Sequence, residues 1–466
     1  MTLIKSISGI RGTIGGQVGE NLTPIDAVKF AAAYGVWLKQ NREKENYRVV
    51  VGRDARISGQ MIQNLVMNTL VGLGIHVIDV GLSTTPTVEV AVPMEHADGG
   101  IILTASHNPK QWNALKLLNE KGEFIDAVEG AKILEIAESD RMNFADVDSL
   151  GKITKNKAYI DLHIIEVLDL PLVTVKPIEE ARFKVVVDGV NSTGGIAIPL
   201  LLERLGVDVI KLYCEPNGHF PHNPEPLKEH LSDLSAEVKK HKADFGIVVD
   251  PDVDRLAFMD ENGEMFGEEY TLVACADYVL SRTPGNTVSN MSSTRALKDV
   301  TEKYGGTYEA SAVGEVNVVN LMKKNKVVIG GEGNGGIIYP ESHYGRDALV
   351  GVALFLSLLA DKNISVSALR KTYPNYFMSK KKIQLTPDLD VDGVLKDMEN
   401  RYQNEQLTTI DGVKIDFSES WVHLRKSNTE PIIRIYTEAK SQKEADTLAD
   451  KFIEEIGAIA KANSLI

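Results

Sequence analysis

The residues best suited to chemistry begin with the segment 104–109, which reads Thr-Ala-Ser-His-Asn-Pro. The small apolar run at residues 99–103 predicts the end of a buried strand, and Asn and Pro favour a turn after it. Ser106 is therefore expected at the carboxyl edge of a sheet, where α/β proteins place their chemistry. A polar turn that merely links a strand to a helix is the alternative.

Three carboxylates form the second group. Asp250, Asp252 and Asp254 occupy alternate positions directly after the apolar run at residues 245–249. In an extended segment, alternate side chains point to one side, so the three carboxylates are expected to converge. Three hard oxygen ligands suit Mg²⁺ better than zinc. The alternative is a surface Asp-Pro turn, but an acidic triplet after a buried strand is costly without a cation.

Three further stretches carry groups that bind phosphates or sugars. Arg11 lies between two glycines, which fits either an anion site or a solvated surface turn. Glu332 and Asn334 lie in a glycine-rich stretch that offers a carboxylate and an amide to hydroxyl groups, or is merely a flexible loop. Its glycines match neither GxGxxG nor a P-loop, which argues against nucleotide binding. A phosphate-binding turn is predicted from Arg425, Ser427, Asn428, Thr429 and Arg434.

The elements that must position these loops follow one pattern three times. In each copy, apolar strands alternate with amphipathic helices, and the last strand leads into one of the polar loops. From about Met378 the chain instead groups several strands before a closing helix. The predicted fold class is therefore α/β, with three related domains of mixed α/β sheets and a C-terminal α+β domain. The predicted domains are 1–153, 154–257, 258–374 and 375–466.

Composition limits the classes of function. The 466 residues are 43% hydrophobic and 25% charged, as expected of a globular protein of several domains. The net charge of -14 argues against nucleic acid or an anionic membrane as partner, but not against a small phosphorylated molecule. Two cysteines and a start without a signal-peptide pattern predict a cytoplasmic protein. The longest apolar run, residues 348–360, is too short for a membrane span and predicts a core helix.

Taken together, the four loops resemble those of the α-D-phosphohexomutase superfamily, of the phosphoglucomutase/phosphomannomutase type and most like its phosphoglucosamine mutases. The serine loop matches over 104–109, with Asn113 and Lys116 after it, and the metal loop matches over 250–255. The sugar loop matches at Gly331 and Glu332, and the phosphate loop at 425 and 427–431. Two departures are Ala114, where the family usually has Gly, and residues 333–336, where many hexose-phosphate members have Ser and His.

The resemblance implies four domains around a central cleft and a phosphoserine enzyme. Phospho-Ser106 would phosphorylate a hexose monophosphate, the hexose 1,6-bisphosphate would reorient, and Ser106 would recover the other phosphoryl group. The bisphosphate is thus both intermediate and activator, and phosphate moves between the 6- and 1-positions. Mg²⁺ on the three aspartates and Ser106 is implied, with a small phosphosugar as partner in a monomer or homodimer. Catalytic roles are implied for Ser106, Arg11, His107, Lys116 and Arg255.

The expected substrate rests on residues 313–315, Val-Gly-Glu, which resemble a Val-Gly-acidic stretch of phosphoglucosamine mutases. A carboxylate at Glu315 would favour a protonated amine at C2, hence conversion of glucosamine 6-phosphate to glucosamine 1-phosphate. Asn428 favours the alternative, a phosphomannomutase/phosphoglucomutase, and Glu315 is alternatively a structural partner of Lys323 or Lys324. Alternatives of other classes are a Mg²⁺-dependent serine phosphatase, which would leave the phosphate loop without a role, and a non-catalytic sugar-phosphate sensor.

Overall fold

The computed structural model describes residues 1–6, 9–42, 44–139, 142–384, 390–426 and 432–463. The chain forms two compact units. The first comprises Met1–Arg282 and Asn334–Arg370, and the second comprises Thr283–Gly333 and Lys371–Ile466. The predicted phosphate-loop residues Ser427, Asn428 and Thr429 lie outside the described residues.

A seven-stranded mixed sheet begins the first unit. Its strands are β1 (Ile4–Ser6), β2 (Gly9–Thr13), β3 (Tyr47–Arg53), β4 (Ile75–Leu82), β5 (Gly99–Leu103), β6 (Trp112–Leu118) and β7 (Ile153–Lys155). They lie in the order β1-β2-β6-β5-β3-β4-β7, with β3 parallel to β4 and β5, and β6 antiparallel to β2 and β5. The accompanying helices are α1 (Pro24–Gln40), α2 (Gly59–Gly72), α3 (Thr85–Met94) and α4 (Ala127–Glu138).

Helix α1 shows how the local sequence sets an element. Thr23 caps its N-terminus, Pro24 occupies the first turn, and Asp26 completes a capping box. One face of the helix then packs on the core beneath the sheet through Phe30, Tyr34 and neighbouring alanines. The helix therefore begins at the Thr-Pro pair, where the cap and the first turn are both specified locally.

A second sheet follows in the same unit. Its strands are β8 (Lys184–Asp188), β9 (Asp208–Leu212), β10 (Phe245–Val249) and β11 (Leu256–Met259). They lie in the order β11-β10-β8-β9, with β8 parallel to β9 and β10, and β11 antiparallel to β10. The helices of this region are α5 (Tyr159–Leu168), α6 (Val175–Ala181), α7 (Gly194–Arg204) and α8 (Ser232–His241). The apolar strand β10 leads directly into Asp250, so the aspartates start at the carboxyl end of a central strand.

Residues 268–370 contribute elements to both units. Those of the second unit are β12 (Thr287–Asn290), α10 (Ala296–Lys303), β13 (Tyr308–Ser311), α11 (Glu315–Asn325) and β14 (Ile329–Glu332), with β12 parallel to β13 and β14. Those of the first unit are α9 (Glu268–Leu280), β15 (Gly336–Ile338), α12 (Ala348–Lys362) and α13 (Val366–Arg370). The predicted core helix is α12, whose first twelve residues are buried and whose Phe355 stacks on Phe258 with ring centroids 3.7 Å apart.

The second unit ends in a five-stranded antiparallel sheet in the order β16-β20-β19-β18-β17. These strands are β16 (Phe377–Gln384), β17 (Gln406–Thr408), β18 (Val413–Asp416), β19 (Trp421–Lys426) and β20 (Ile432–Ala439). Helices α14 (Val391–Arg401) and α15 (Gln442–Asn463) accompany the sheet. The fold class is therefore confirmed. Helix α14 was missed although Val391, Val394, Leu395 and Met398 follow the helical spacing, and β17 was missed because it has only three residues.

In the part of the chain that the structure describes, no helix combines the length and apolar character needed to cross a bilayer.

Candidate active site

Ser106 stands just beyond the carboxyl end of β5, on a turn whose backbone is left-handed at the serine itself, with φ of 48°. Its own N–H donates to Thr104 Oγ1 at 3.0 Å. Its hydroxyl Oγ donates to Asp250 Oδ2 at 2.8 Å. The structure thus brings the serine of one predicted loop against the first aspartate of another, across 144 residues of sequence.

A buried ion pair holds the serine loop in place. Arg56 is 1% exposed and donates to the backbone carbonyls of Ser106, Asn108, Pro109 and Trp112. Its Nε also contacts Asp54 Oδ2 at 3.0 Å, and the same carboxylate oxygen accepts from Thr104 Oγ1 at 2.7 Å. Burial raises the pKa of Asp54, while the Arg56 charge opposes that shift. One guanidinium therefore satisfies four carbonyls of a loop that forms no regular structure.

The three aspartates converge as the alternation predicted. Single oxygen atoms of Asp250, Asp252 and Asp254 all lie within 4.8 Å of one another, and all three side chains are buried. Asp250 Oδ1 accepts the N–H groups of Asp254 and Arg255 at 3.2 and 3.1 Å, which closes the turn. Val253, the residue between Asp252 and Asp254, has φ of 66°, a conformation that β-branched residues rarely adopt.

Two cations and a hydroxyl face this carboxylate triad. Lys116 Nζ lies 2.8 Å from Asp252 Oδ2 and 3.5 Å from Asp254 Oδ2. Arg346 Nη2 donates to Asp254 Oδ2 at 2.7 Å, and Thr85 Oγ1 donates to Asp252 Oδ2 at 2.6 Å. These donors contact Oδ2 of Asp252 and Oδ2 of Asp254, which leaves Oδ1 of each carboxylate for another partner.

The remaining oxygens of the triad fit a divalent cation. Asp252 Oδ1 and Asp254 Oδ1 are buried without any hydrogen-bond partner among the described residues. A buried carboxylate oxygen left without a partner is costly unless a cation contacts it. Clustered carboxylate oxygens are the donor set that Mg²⁺ prefers. Asp250, Asp252, Asp254 and the neighbouring Ser106 oxygen would hold such an ion.

The ionisation of the triad reflects crowding. Burial, followed by the charges of Asp254 and Asp252, raises the pKa of Asp250 well above its ordinary value. Burial also disfavours the ionised Asp252, but Lys116 outweighs it and lowers the pKa of that carboxyl. Reciprocally, the pKa of Lys116 is raised because Asp252 and Asp254 outweigh its own burial. Crowding therefore disfavours three ionised carboxylates in the triad, and Lys116 favours the ionised form of Asp252.

The other predicted catalytic residues surround the serine loop. His107 Nδ1 lies 3.4 Å from Ser106 Oγ, and burial together with the Arg255 charge lowers the pKa of His107 to about 2, so its imidazole is neutral. Arg11 Nη1 donates to Asn108 Oδ1 at 3.4 Å, and the pKa of Arg11 is lowered by burial and by Arg255. Arg255 Nη1 contacts Glu225 Oε1 at 3.3 Å, and its Nε is buried without a hydrogen-bond partner among the described residues.

In the second unit, hydrogen bonds through Asp411 connect the predicted sugar loop at Glu332 with the predicted phosphate loop at Arg425. Glu332 Oε1 accepts from Asn290 Nδ2 at 2.8 Å and from the N–H of Gly314 at 3.2 Å. The next N–H along that segment, at Val313, donates to Asp411 Oδ2 at 3.0 Å. Asp411 Oδ1 in turn accepts from Arg425 Nε at 3.0 Å. Glu315, the first residue of α11, lies beside this network and is 9% exposed.

Cations line up across the sheet of the second unit. Arg434 on β20 lies directly opposite Arg425 on β19 and opposite Lys382 on β16. Directly opposed residues share a face of the sheet, and like charges there destabilise it unless an anion neutralises them. Sequence reasoning named the two arginines and missed Lys382, which only the strand register brings to the row.

Asn334 and the glycines after it lie in the first unit. A Cβ atom on Gly336 would lie 2.3 Å from Cδ of Arg346, so the arginine fills the space that a side chain at 336 would need. Asn334 Oδ1 is nearby, 3.2 Å from that same Cβ position, and is buried without a partner among the described residues. The sequence did not indicate Arg346, since a single arginine before an apolar helix carries no local signal.

Sequence comparison places all four parts of the chain in one family. Descriptions of the phosphoglucomutase/phosphomannomutase family match here as α/β/α domain I over 3–143, domain II over 158–263, domain III over 267–376 and the C-terminal domain over 379–455.

Similar proteins carry two kinds of name. A phosphoglucomutase/phosphomannomutase of Thermococcus kodakarensis is 36% identical over 443 residues, covering 93% of this chain and 95% of the relative. A probable phosphoglucosamine mutase of Pyrococcus abyssi is 34% identical over 468 residues and covers 98% of each chain. A crystal structure of a phosphoglucomutase/phosphomannomutase family protein from Burkholderia thailandensis is 25% identical with a TM-score of 0.83, covering 98% of both chains.

Proposed function

The chain belongs to the phosphoglucomutase/phosphomannomutase family of phosphohexomutases, and we propose that it interconverts glucosamine 6-phosphate and glucosamine 1-phosphate through a phosphoserine at Ser106. The observation that carries the proposal is the contact of Ser106 Oγ with a buried aspartate triad, surrounded by cations. Phosphoryl transfer needs alignment and charge neutralisation more than covalent chemistry by the protein, and this arrangement supplies both.

In the first half of the reaction, a sugar hydroxyl oxygen attacks the phosphorus of phospho-Ser106 and the bond from phosphorus to Oγ breaks. The neutral imidazole of His107, 3.4 Å from Oγ, is placed to exchange a proton with the oxygens that react. Arg11 and Lys116 bring positive charge to the same loop. In the second half, the reoriented bisphosphate returns its other phosphoryl group to Ser106 Oγ by the reverse of these bond changes.

Mg²⁺ held by Asp250, Asp252, Asp254 and a Ser106 oxygen would supply positive charge to the transferring phosphoryl oxygens. The protein's own contribution is to hold the aspartates at a fixed position relative to the serine. Arg56 fixes the serine loop, while the backbone N–H groups of Asp254 and Arg255 fix Asp250. The two loops therefore meet at the hydrogen bond between Ser106 and Asp250.

The phosphate that does not react is assigned to the cation row of the second unit. Arg425, Arg434 and Lys382 share one sheet face and the predicted residues Ser427, Asn428 and Thr429 come between the two arginines in sequence. Asp411 already pairs with Arg425, and a phosphate dianion would neutralise the remaining positive charge of this row. Glu332 and Asn334 are assigned to the sugar hydroxyl groups. A serine phosphatase would need no such second phosphate site.

Glu315 favours glucosamine phosphate as the substrate, and the test is a ratio of kcat/KM values. Glu315 follows Gly314, whose N–H donates to Glu332, so the Glu332 carboxylate contacts the residue directly before Glu315. A charge-assisted contact to a C2 ammonium contributes about 1.5–3 kcal/mol, or roughly tenfold to a hundredfold in kcat/KM. The experiment compares kcat/KM for glucosamine 6-phosphate, glucose 6-phosphate and mannose 6-phosphate in the wild type and in Glu315→Gln.

We expect glucosamine 6-phosphate to be preferred by at least tenfold and Glu315→Gln to lose that preference. Equal values for the three sugars, or a preference for mannose 6-phosphate, would contradict the amino-sugar assignment while leaving the mutase assignment intact. A preference that persists in Glu315→Gln would move the specificity to Glu332 and Asn334. Glu45→Gln, which makes the same change at an exposed glutamate, is the matched control.

A further inference from the structure

A second cluster of ligating side chains lies in the first unit, outside the reaction described above. His163, His343 and Asp347 each offer one ligand atom, and these atoms lie within 4.8 Å of one another. His163 Nε2 is 2.9 Å and His343 Nε2 is 3.1 Å from the same oxygen, Asp347 Oδ2. We propose that this cluster, the His-His-Asp site, binds a Zn²⁺ ion. The ion would stabilise the packing of the elements whose residues contact the aspartate triad.

The donor atoms distinguish this site from the triad. Two imidazole nitrogens and one carboxylate oxygen suit zinc and related first-row metals, whereas the three carboxylates of the triad suit Mg²⁺. Zinc lies about 2.0–2.1 Å from nitrogen or oxygen ligands, which puts neighbouring ligand atoms of a tetrahedral site roughly 3.3 Å apart. The observed 2.9 and 3.1 Å separations are within a few tenths of an ångström of that value, and the third separation among the ligand atoms is within 4.8 Å.

The outer nitrogens of both histidines already have partners. His163 Nδ1 lies 3.0 Å from Thr87 Oγ1, and that hydroxyl is 2.7 Å from Thr84 Oγ1. His343 Nδ1 lies 3.4 Å from Glu89 Oε2. In zinc sites a ligating histidine donates its other ring N–H to a hydroxyl, carbonyl or carboxylate, which orients the ring. Both rings are therefore oriented with Nε2 towards the common point.

Asp347 divides its two oxygens between two tasks. Oδ1 accepts the N–H groups of Leu349 and Val350 at 2.8 and 3.3 Å and caps α12. Oδ2 is left to the two histidines. The cap therefore fixes the direction in which Oδ2 faces the two histidines.

The site joins elements that hold the triad. Thr87 and Glu89 lie on α3, whose first residue, Thr85, donates to Asp252. Asp347 directly follows Arg346, which donates to Asp254. His163 comes from α5, so the ion would tie three distant stretches of sequence together. His343 is the most accessible of the three ligands, with 13% of its side chain exposed, against 0% for His163 and 1% for Asp347.

The test uses Co²⁺ as a spectroscopic probe for zinc on the full chain, with excess Mg²⁺ present to occupy the triad. The wild type should bind one equivalent of Co²⁺ with visible d–d absorption, and one equivalent of Zn²⁺ should remove that absorption. Asp252→Asn should retain the signal, because the triad is not the binding site. His343→Gln should lose it, while His96→Asn, at an exposed histidine, should retain it.

Thr87→Val keeps all three ligands and removes only the partner of His163 Nδ1. It should weaken Co²⁺ binding tenfold to a hundredfold, and it covers the case in which His343→Gln fails to fold. Absence of a stoichiometric Co²⁺ spectrum in the folded wild type would overturn the proposal. So would a spectrum that survives in both His343→Gln and Thr87→Val, or one that disappears in Asp252→Asn.

Discussion

Of the ten non-glycine residues with positive φ in the described part of the chain, two lie where the reacting groups meet. Ser106 has φ of 48° and Val253 has φ of 66°, one in the serine loop and one in the aspartate turn. Such conformations cost about 1–3 kcal/mol and persist only where the surroundings impose them. Arg56 imposes the first by binding the Ser106 carbonyl, and Asp250 imposes the second by binding the N–H groups after it. The strain is therefore maintained by buried polar contacts at both loops.

At the same scale, two substitutions should change metal binding in opposite directions. Asp252→Asn removes an anionic ligand and should weaken Mn²⁺ binding about a hundredfold or more, since several kcal/mol of attraction is lost. Lys116→Met removes the ammonium 2.8 Å from Asp252 that competes with the ion, so it should tighten Mn²⁺ binding while slowing phosphoryl transfer. The amount of free Mn²⁺ is measured by electron paramagnetic resonance.

The exposed residue Asp148 supplies the control, since Asp148→Asn should leave Mn²⁺ affinity unchanged. Equal affinity in Asp252→Asn and the wild type would contradict the assignment of the triad as the metal site. Weaker binding in Lys116→Met would show that this lysine orients the ligands and does not compete with the ion.

At the scale of elements, the serine and the aspartates meet because strand ends meet. β5 and β10 are both central, fully buried strands, and each ends directly before its loop. An apolar run followed by polar residues signals this arrangement in sequence, which is why Ser106 and Asp250 were predictable. Arg56 and Arg346 were not, because their partners are backbone carbonyls and a carboxylate distant in sequence.

One element, β19, should make the second unit sensitive to acid. His423 on β19 lies 2.9 Å from Ser292 Oγ through Nδ1, and its Nε2–H donates to the Asp411 carbonyl at 2.7 Å. Burial lowers the pKa of His423 to about 4, against an ordinary value of about 6.5. The unfolded chain therefore binds more protons between these values, so the free energy of unfolding falls as pH drops from 6.5 to 4, by up to about 3 kcal/mol.

His423→Gln keeps a donor for the Asp411 carbonyl and removes the titrating ring, so it should flatten this acid dependence. Amide hydrogen exchange of β19 and β20, corrected for the intrinsic rates at each pH, measures the free energy of opening. The exposed-site variant His96→Asn should keep the wild-type dependence. An unchanged slope in His423→Gln would show that another group causes the acid sensitivity.

At the scale of the whole molecule, the order of elements was predictable and their grouping was not. Alternating apolar strands and amphipathic helices indicated the α/β class and the C-terminal α+β sheet. The division into two compact units cuts through the third predicted domain, because α9, β15 and α12 group with the first unit. Helix α12 packs in the first unit through Phe355, which contacts Phe258 and Phe266. These residues are about ninety apart in sequence, and the periodicity of apolar residues does not predict such distant contacts.

The same distinction holds for the candidate sites. The serine loop, the triad and the two loop arginines have short sequence patterns, whereas the His-His-Asp site assembles residues 163, 343 and 347 from separate elements. The row of Lys382, Arg425 and Arg434 depends on strand register, which a one-residue slip would destroy. The limits 1–153, 154–257, 258–374 and 375–466 remain predictions.

The central claim is that Ser106 carries the phosphoryl group, and intact-mass spectrometry with peptide mapping tests it most directly. After incubation with a hexose 1,6-bisphosphate and removal of excess ligand, the wild type should contain a fraction heavier by one phosphoryl group, located on the peptide that contains Ser106. Ser106→Ala should lose both this adduct and mutase activity, whereas Ser232→Ala, at an exposed serine, should keep both. A phosphoryl group on another residue, or full mutase activity in Ser106→Ala, would contradict the account.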